Sequence, residues 1–171
     1  MEVLAVVLIL AVVIMFAIPG IRAIRNEIYY QQAKAASVKM ADAMRSYYQN
    51  TKGYRIQGTL VGKLPPATEA TGLTSVIEAA AVSCNQVSTG IPTYSTGEAT
   101  MDQLFACDYL SAKDFSGLPY RFEADATYAG NVLVRSIGFN AAGTHSGQGW
   151  CVYKDSSVME TRDDGTCRDR N

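Results

Sequence analysis

The apolar stretch at the start of this chain constrains its fold more than any other feature. Val3–Ile18 contains no charged or polar side chain, Glu2 precedes it, and Pro19 and Gly20 follow it. A membrane-spanning helix needs about 20 apolar residues at a rise of about 1.5 Å each. Counting on to Ile21 gives about that length, so we expect a helix that lies in a bilayer or in a bundle of apolar helices.

The helical pattern continues past this stretch. Seven apolar residues recur at roughly helical spacing among polar ones: Ile21, Ile24, Ile28, Ala35, Met40, Met44 and Tyr47. Such spacing is typical of an amphipathic helix that packs along one face. The first strong stop signal is Asn50-Thr51-Lys52-Gly53, so we predict one helix over residues 1–51, about 75 Å long. Residues 1–21 form its apolar segment, and the rest lies under a globular domain.

The next part of the chain, residues 52–117, is rich in Gly, Thr, Ser and Pro and is interpreted as a connector. Within it, Thr71–Cys84 is a candidate short helix in which Ser75 and Glu78 would form a capping box. Residues 101–110 are a second candidate of one or two turns, capped by Thr100 or Asp102.

The apolar period changes in the last part, residues 118–171. Three segments have the alternation or the β-branched content of strands: Leu118–Ala124, Asn131–Asn140 and Trp150–Lys154. Turn residues separate them at 128–131 and 142–147, which predicts an antiparallel meander. One face of this sheet should pack on the apolar stripe of the helix, because a small sheet is not stable alone. The predicted fold class is therefore α+β.

Four cysteines are present, at Cys84, Cys107, Cys151 and Cys167. Four cysteines allow three complete pairings. The simplest is two local disulfides, Cys84–Cys107 and Cys151–Cys167, in an oxidising compartment. The alternative is four reduced, buried thiols. A zinc site is disfavoured because the spacings are wide and His145 is the only histidine.

The N-terminal features together resemble the mature N-terminus of a type IV pilin or of a related type II secretion pseudopilin. They are Glu2, the apolar run, Ala17-Ile18-Pro19 and the amphipathic continuation, with Glu2 and Pro19 separated by 17 positions as in that family. By this alignment Met1 lies three residues after the usual first mature residue, so the leader and the residue that the family commonly methylates would precede it. The resemblance covers about fifty residues.

The resemblance implies a ladle-shaped subunit that leaves the inner membrane, with the help of the pilus assembly machinery, and polymerises into an extracellular helical filament of identical subunits. It implies that Glu2 neutralises the N-terminal amine of a neighbouring subunit. It also implies that the helix around Pro19 and Gly20 unwinds on assembly, whereas an isolated Pro-Gly pair predicts an ordinary kink. Adhesion, motility and DNA uptake are family functions that the residues do not separate.

Charge and motifs narrow the classes of function. The chain carries 15 basic and 16 acidic residues, without the basic excess expected of a general nucleic-acid binder. Arg22 and Arg25 after the apolar run would place the following domain in the cytoplasm by the positive-inside rule, unless a basic leader precedes Met1. The sequence has no nucleotide loop, catalytic carboxylate pair or nucleophile elbow, so we predict a structural protein with no catalytic residue, cofactor or metal.

Several residues have a competing interpretation. Asp163-Asp164-Gly165 near Asp169 resembles the C-terminal calcium site of some pseudopilins, but a plain turn is favoured because the spacing of a calcium-binding hand is missing. His145 is interpreted as a solvated turn residue. The aromatic series Phe16, Tyr29, Tyr30, Tyr47, Tyr48 and Tyr54 is interpreted as packing, although some pilins are proposed to move electrons along such residues. Two alternatives to the pilus subunit remain, a pseudopilin and a monomeric membrane-anchored extracytoplasmic binding domain.

Overall fold

The computed structural model describes residues 2–50, 55–62, 98–124, 131–139 and 145–169. A long helix, α1 (Glu2–Asn50), packs by its C-terminal half against an antiparallel sheet, which confirms the predicted α+β class. Its boundaries agree with the predicted helix over residues 1–51, and it stays helical through Pro19 and Gly20. The unwinding that the resemblance implies concerns an assembled filament and stays a prediction.

The described strands form one sheet. They are β1 (Arg55–Val61), β2 (Glu98–Thr100), β3 (Tyr120–Ala124), β4 (Val132–Phe139), β5 (His145–Tyr153) and β6 (Val158–Glu160). Their order is β2-β1-β3-β4-β5-β6. All neighbours are antiparallel except β1 and β2, which run parallel at one edge. A short helix, α2 (Asp102–Ala106), and a 3₁₀ turn (Ala112–Asp114) lie between β2 and β3.

The core lies between α1 and one face of the sheet. On the helix it contains Met40, Met44 and Tyr47. On β3, Tyr120, Phe122 and Ala124 point inward, and the residues between them are only half-buried. This alternation with a period of two is what a half-buried strand requires.

Three phenylalanines link the elements of this core. The ring of Phe115 meets Phe105 edge-on at 5.5 Å between centroids and Phe122 at 5.3 Å. Edge-to-face pairs of this kind contribute beyond the area they bury. The row therefore joins α2, the segment after the 3₁₀ turn and β3 into one unit with the helix.

The structure corrects four details of the sequence interpretation. Residues 52–117, which the sequence interpretation treats as a connector with two candidate helices, contain strands β1 and β2. His145 begins strand β5 instead of lying in a turn, and β6 adds a strand to the three predicted in residues 118–171. The N-cap of α2 is Met101, which makes no side-chain capping bond, instead of Thr100 or Asp102. The candidate helix Thr71–Cys84 lies outside the described residues.

The C-terminal segment is fastened at several points. Cys151 and Cys167 form a disulfide with 5.8 Å between their Cα atoms, as predicted. The Tyr153 hydroxyl donates to the carbonyl of Arg168 at 2.8 Å. Gly147 has φ +74°, and a Cβ there would lie 2.0 Å from the carbonyl oxygen of Asp163. Only glycine permits both this backbone conformation and this approach.

Candidate functional site

The most unusual surface of the molecule is the N-terminal half of α1. Its described large apolar side chains are between 46% and 77% exposed: Val3, Val6, Val7, Leu8, Ile9, Leu10, Val12, Val13, Ile21, Ile24 and Ile28. Soluble monomers rarely expose contiguous apolar patches of more than a few hundred Å², and larger ones mark interaction sites or membrane contacts. This half of the helix is therefore the candidate functional site.

The part of this surface nearer the N-terminus, around Leu8–Leu10, is apolar on all sides of the helix. Leu8, Ile9 and Leu10 are consecutive and exposed, and successive residues of an α-helix point about 100° apart. The three side chains thus surround the helix axis. A helix that is hydrophobic all round is one that is buried on all sides in its working environment. One partner on one side cannot provide that burial.

The part of this surface nearer the sheet is apolar on one side of the helix only. It contains Ile21, Ile24 and Ile28. Arg25 and Glu27 are exposed beside it. At about 100° per residue, Ile24 points about 160° away from Met40, which faces the sheet. This stripe therefore faces away from the sheet of its own chain.

This geometry corrects the predicted single apolar face. Met40, Met44 and Tyr47 lie in the core as expected, whereas Ile21, Ile24, Ile28 and Ala35 are exposed. The residues that bury the rest of this helix against the sheet are small ones, Ala33, Ala36, Ser37, Ala41 and Ala43. Because alanine and serine carry a weak apolar signal, the sequence pattern merged two different faces into one.

A polar and aromatic cluster lies where α1 leaves the sheet. The indole N–H of Trp150 donates to the carbonyl of Tyr30 at 3.0 Å, and the two rings lie 4.7 Å apart. The Lys34 ammonium lies 4.4 Å from the centroid of the Trp150 ring, within the range of a cation–π contact. Burial, followed by a hydrogen bond to the Glu160 carboxylate, raises the pKa of Tyr30. These contacts tie one turn of the helix to β5 and β6 and so set the direction of the exposed half.

Tyr120 of β3 gives a test of the packing between the helix and the sheet. Burial, with a smaller contribution from the charge of Glu27, raises the pKa of Tyr120 to about 12 from its ordinary 10.0. Above pH 10 the unfolded chain loses this proton while the folded chain keeps it, so the free energy of unfolding should fall as the pH rises from 10 to 12. Tyr120→Phe should make that fall shallower in denaturant titrations. An equally steep fall in the variant, with wild-type stability at pH 7, would contradict the assignment.

The residues that the sequence singled out for assembly all lie on α1. Glu2, Pro19 and Gly20 belong to its backbone, and their side chains lie outside the described ones. Glu2 is 27 positions before Tyr29, the first residue that is half-buried against the core, or about 40 Å along the helix. The structure thus places Glu2 far from the folded domain. Among the residues that the structure describes, no helix has a stretch long and apolar enough to cross a membrane.

The other residues that the sequence singled out and that the structure describes belong to the globular domain, away from Glu2. Cys107 is disulfide-bonded, and Cys84 lies outside the described residues, so the Cys84–Cys107 pairing stays a prediction. Residues 163–165 form a turn in which Asp164 Oδ1 accepts from the backbone N–H and the hydroxyl of Thr166, at 2.9 and 2.6 Å. These bonds lower the pKa of Asp164. Among the described residues no acidic, histidine or cysteine cluster could hold a metal ion. His145 has its backbone in β5, and its side chain lies outside the described ones.

Comparison with known proteins adds no assignment. Family models, curated proteins and solved structures were all searched, and none matches this chain. The site must therefore be interpreted from its own geometry.

The sequence interpretation missed the cluster at the point where α1 leaves the sheet. Lys34 is more than a hundred positions before Trp150 and Glu160 in the chain, and the three residues belong to no motif. The only signal was that Trp150 is the single tryptophan of the chain, and a large ring with one donor is often used where a buried surface meets a polar one.

Proposed function

We propose that this chain is a structural subunit of a type IV pilus that polymerises through its apolar N-terminal helix into an extracellular filament. The observation that carries the proposal is the extension of the apolar half of α1 beyond the sheet, exposed on every side from Leu8 to Leu10. The domain, by contrast, has its own core and needs no partner to bury it. The ladle shape of a pilin subunit fits this division.

The mechanism that we propose is burial. Each Å² of apolar surface removed from water contributes about 25 cal/mol, and burying one Val, Leu or Ile side chain fully contributes about 1.5–3 kcal/mol. In the proposed assembly this surface first dissolves in the inner membrane and then, with the pilus assembly machinery, becomes the core of a filament. Subunits add head to tail in a heterologous contact that does not close.

In the proposed filament the sheet and the disulfide-bounded C-terminal segment lie on the outside. Glu2 lies in the apolar end, where a carboxylate costs about 2.5–3.5 kcal/mol at mid-bilayer and less near its edge. A cost of this kind is offset if the carboxylate meets the N-terminal amine of a neighbouring subunit, since low dielectric strengthens their attraction. Pro19 and Gly20 supply the weak point at which the helix adjusts to its neighbours.

The role of Glu2 gives the test. Glu2→Ala or Glu2→Gln should leave the domain folded and the subunit membrane-inserted, because Glu2 lies about 40 Å from the nearest sheet contact. Insertion should if anything improve when a charge is removed from lipid. Filament yield should fall sharply, since the charge partner for the next subunit is lost. The measurement compares membrane-bound and sheared surface fractions at equal expression, with electron microscopy of the sheared material.

Each outcome separates the candidate functions. Normal filament yield from Glu2→Ala would remove the assembly role and leave Glu2 as a marker of the helix end. A wild-type chain that stays monomeric in membranes and forms no filaments on overexpression would favour the membrane-anchored binding domain. Short filaments confined to the periplasm would favour the secretion pseudopilin.

A further inference from the structure

The apolar surface of α1 ends at different positions on two sides of the helix. On one side Ile21, Ile24 and Ile28 lie within about 60° of one another, and all three are at least half exposed. On the other side the last apolar residue is Ala23, about 140° from Ile28, and the exposed polar residue Asn26 follows it. The apolar surface therefore continues five residues further on the isoleucine side.

We propose that α1 crosses the bilayer at a tilt and that this isoleucine stripe lies in lipid, on the side of the helix that leans towards the membrane. This contact belongs to the membrane stage of the proposed function and rests on it. A tilted rod leaves a slab further along on the side that leans towards the slab. An offset of about 7.5 Å across a helix about 10–12 Å wide corresponds to a tilt of roughly 35°.

The length of the helix agrees with the same tilt. Val3 and Ile28 are about 38 Å apart along the axis, and at a tilt of roughly 35° this distance spans about 31 Å along the bilayer normal. The hydrocarbon core of a bilayer is about 30 Å thick, and membrane helices are tilted by about 0–40°. An upright helix would instead hold Ile28 about 8 Å outside the core.

The position of the sheet permits this tilt. Ile24 lies about 160° around the helix from the core residue Met40, so leaning on the isoleucine side lifts the sheet away from the membrane. The domain reaches the isoleucine side only further on, where Lys39 pairs with Asp114 at 3.1 Å. At the proposed tilt Lys39 is about 13 Å outside the hydrocarbon core, beyond a headgroup layer of about 5–8 Å.

Arg25 supplies the polar contact with the lipid. It is exposed, three residues before Ile28, and lies about 60° around the helix from it. A long cationic side chain at this level extends to the membrane surface, where its guanidinium can donate to the phosphate of an anionic phospholipid. Glu27 lies at the other edge of the stripe, and its carboxylate already accepts from the amide of Gln31 at 2.8 Å.

The test compares two engineered cysteines in the full chain, reconstituted with its domain outside in vesicles of phosphatidylcholine and phosphatidylglycerol. A maleimide confined to water should react about tenfold or more slowly with Ile28→Cys than with Asn26→Cys, because the first thiol lies in lipid and the second faces water. Among the described residues no cysteine is free to compete. Both thiols should react alike in denaturant, and Trp150 fluorescence shows whether each variant keeps its folded domain.

An upright helix predicts the opposite order, since Asn26 would then lie about 3 Å deeper than Ile28. Equal rates, or faster reaction of Ile28→Cys, would overturn the tilted contact and leave the pilus subunit standing. The expected order from a chain that makes no filaments on cells would support the contact and remove the pilus proposal. Failure of the full chain to float with the vesicles would overturn both.

The contact of Arg25 has its own readout. In the Ile28→Cys chain, Arg25→Glu should speed the maleimide reaction severalfold, because a carboxylate at the phosphate layer repels the lipid. Lys154→Glu is the matched control, since Lys154 is exposed on the domain and the change in charge is the same. No acceleration from Arg25→Glu, or an equal one from Lys154→Glu, would overturn the contact between Arg25 and the lipid phosphate.

Discussion

Replacing Phe122 by alanine should lower the free energy of unfolding of the globular domain by about 3–5 kcal/mol, the usual cost of removing a buried phenylalanine. Phe122 is fully buried, and its ring meets Phe115 edge-on at 5.3 Å. The row from Phe105 to Phe122 joins α2, the 3₁₀ turn and β3 to the helix, so the cavity cannot collapse without moving several elements. Denaturant titration of the full chain in mild detergent, followed by Trp150 fluorescence, would measure the loss.

The matched control is Lys113→Ala. Lys113 is exposed in the 3₁₀ turn, close to Phe115 in the chain but outside the core. Its replacement should change the free energy of unfolding by no more than about 0.5 kcal/mol. If Phe122→Ala cost no more than this control, the aromatic row would not belong to the cooperative core of the domain.

Single substitutions by asparagine at Leu8, Ile9 or Leu10 should each lower filament yield about tenfold or more while leaving the domain intact. Burying one such side chain contributes about 1.5–3 kcal/mol, and 1.4 kcal/mol corresponds to a factor of ten in an equilibrium constant. The three side chains point to different sides of the helix, so each would lose contacts with a different neighbour. Sheared surface material and membrane fractions at equal expression would be compared for the three variants.

The comparison among the three positions is the informative part. An interface on one side of the helix would spare at least one of the three variants, which would contradict burial on all sides. Gln32→Asn is the matched control, because Gln32 is an exposed polar residue of the same helix and lies outside the all-apolar part. Domain stability should be that of the wild type in all four variants, since none of these residues contacts the core.

The two sets of variants address two parts of the molecule, the folded domain that packs on the C-terminal half of α1 and the exposed N-terminal half of α1. From Tyr29 to Tyr47, α1 is stabilised by the sheet of its own chain. From Val3 to Ile28 its apolar side chains have no such partner among the described residues. The cluster of Tyr30, Trp150 and Lys34 marks the change from one half to the other. A substitution should therefore affect either stability or assembly according to its position along the helix.

The features of the fold that have a strong local signal were predictable from the sequence. An unbroken apolar run and a helical pattern over some fifty residues specify α1 with little ambiguity, because few other structures satisfy them. Strand β4 was recognisable from its β-branched residues, and the Cys151–Cys167 pair from its closeness in sequence. In each of these cases the deciding signal lies within one continuous stretch of chain.

Short elements were not predictable in this way. β1 and β6 contain Gln57 and Glu160 and carry a weak alternation, and they are strands because neighbouring strands supply their hydrogen bonds. His145 lies among glycine and serine, typical turn residues, yet begins β5 because Phe139 of β4 pairs with it. Pairing with a partner overrides local propensity where that propensity is weak.

The division of α1 into a buried face and an exposed face also depends on tertiary contacts and not on local residue type alone. Local residue type makes Ile21, Ile24, Ile28 and Met40 all apolar, and a helix of that composition follows from the chain alone. Which of them are buried depends on where the sheet lies, and that position is set by contacts between residues more than a hundred places apart, such as Tyr30 and Trp150. Hydrophobic burial has no direction of its own, so an apolar side chain specifies that it needs a partner, and the tertiary contacts specify which side of the helix has one.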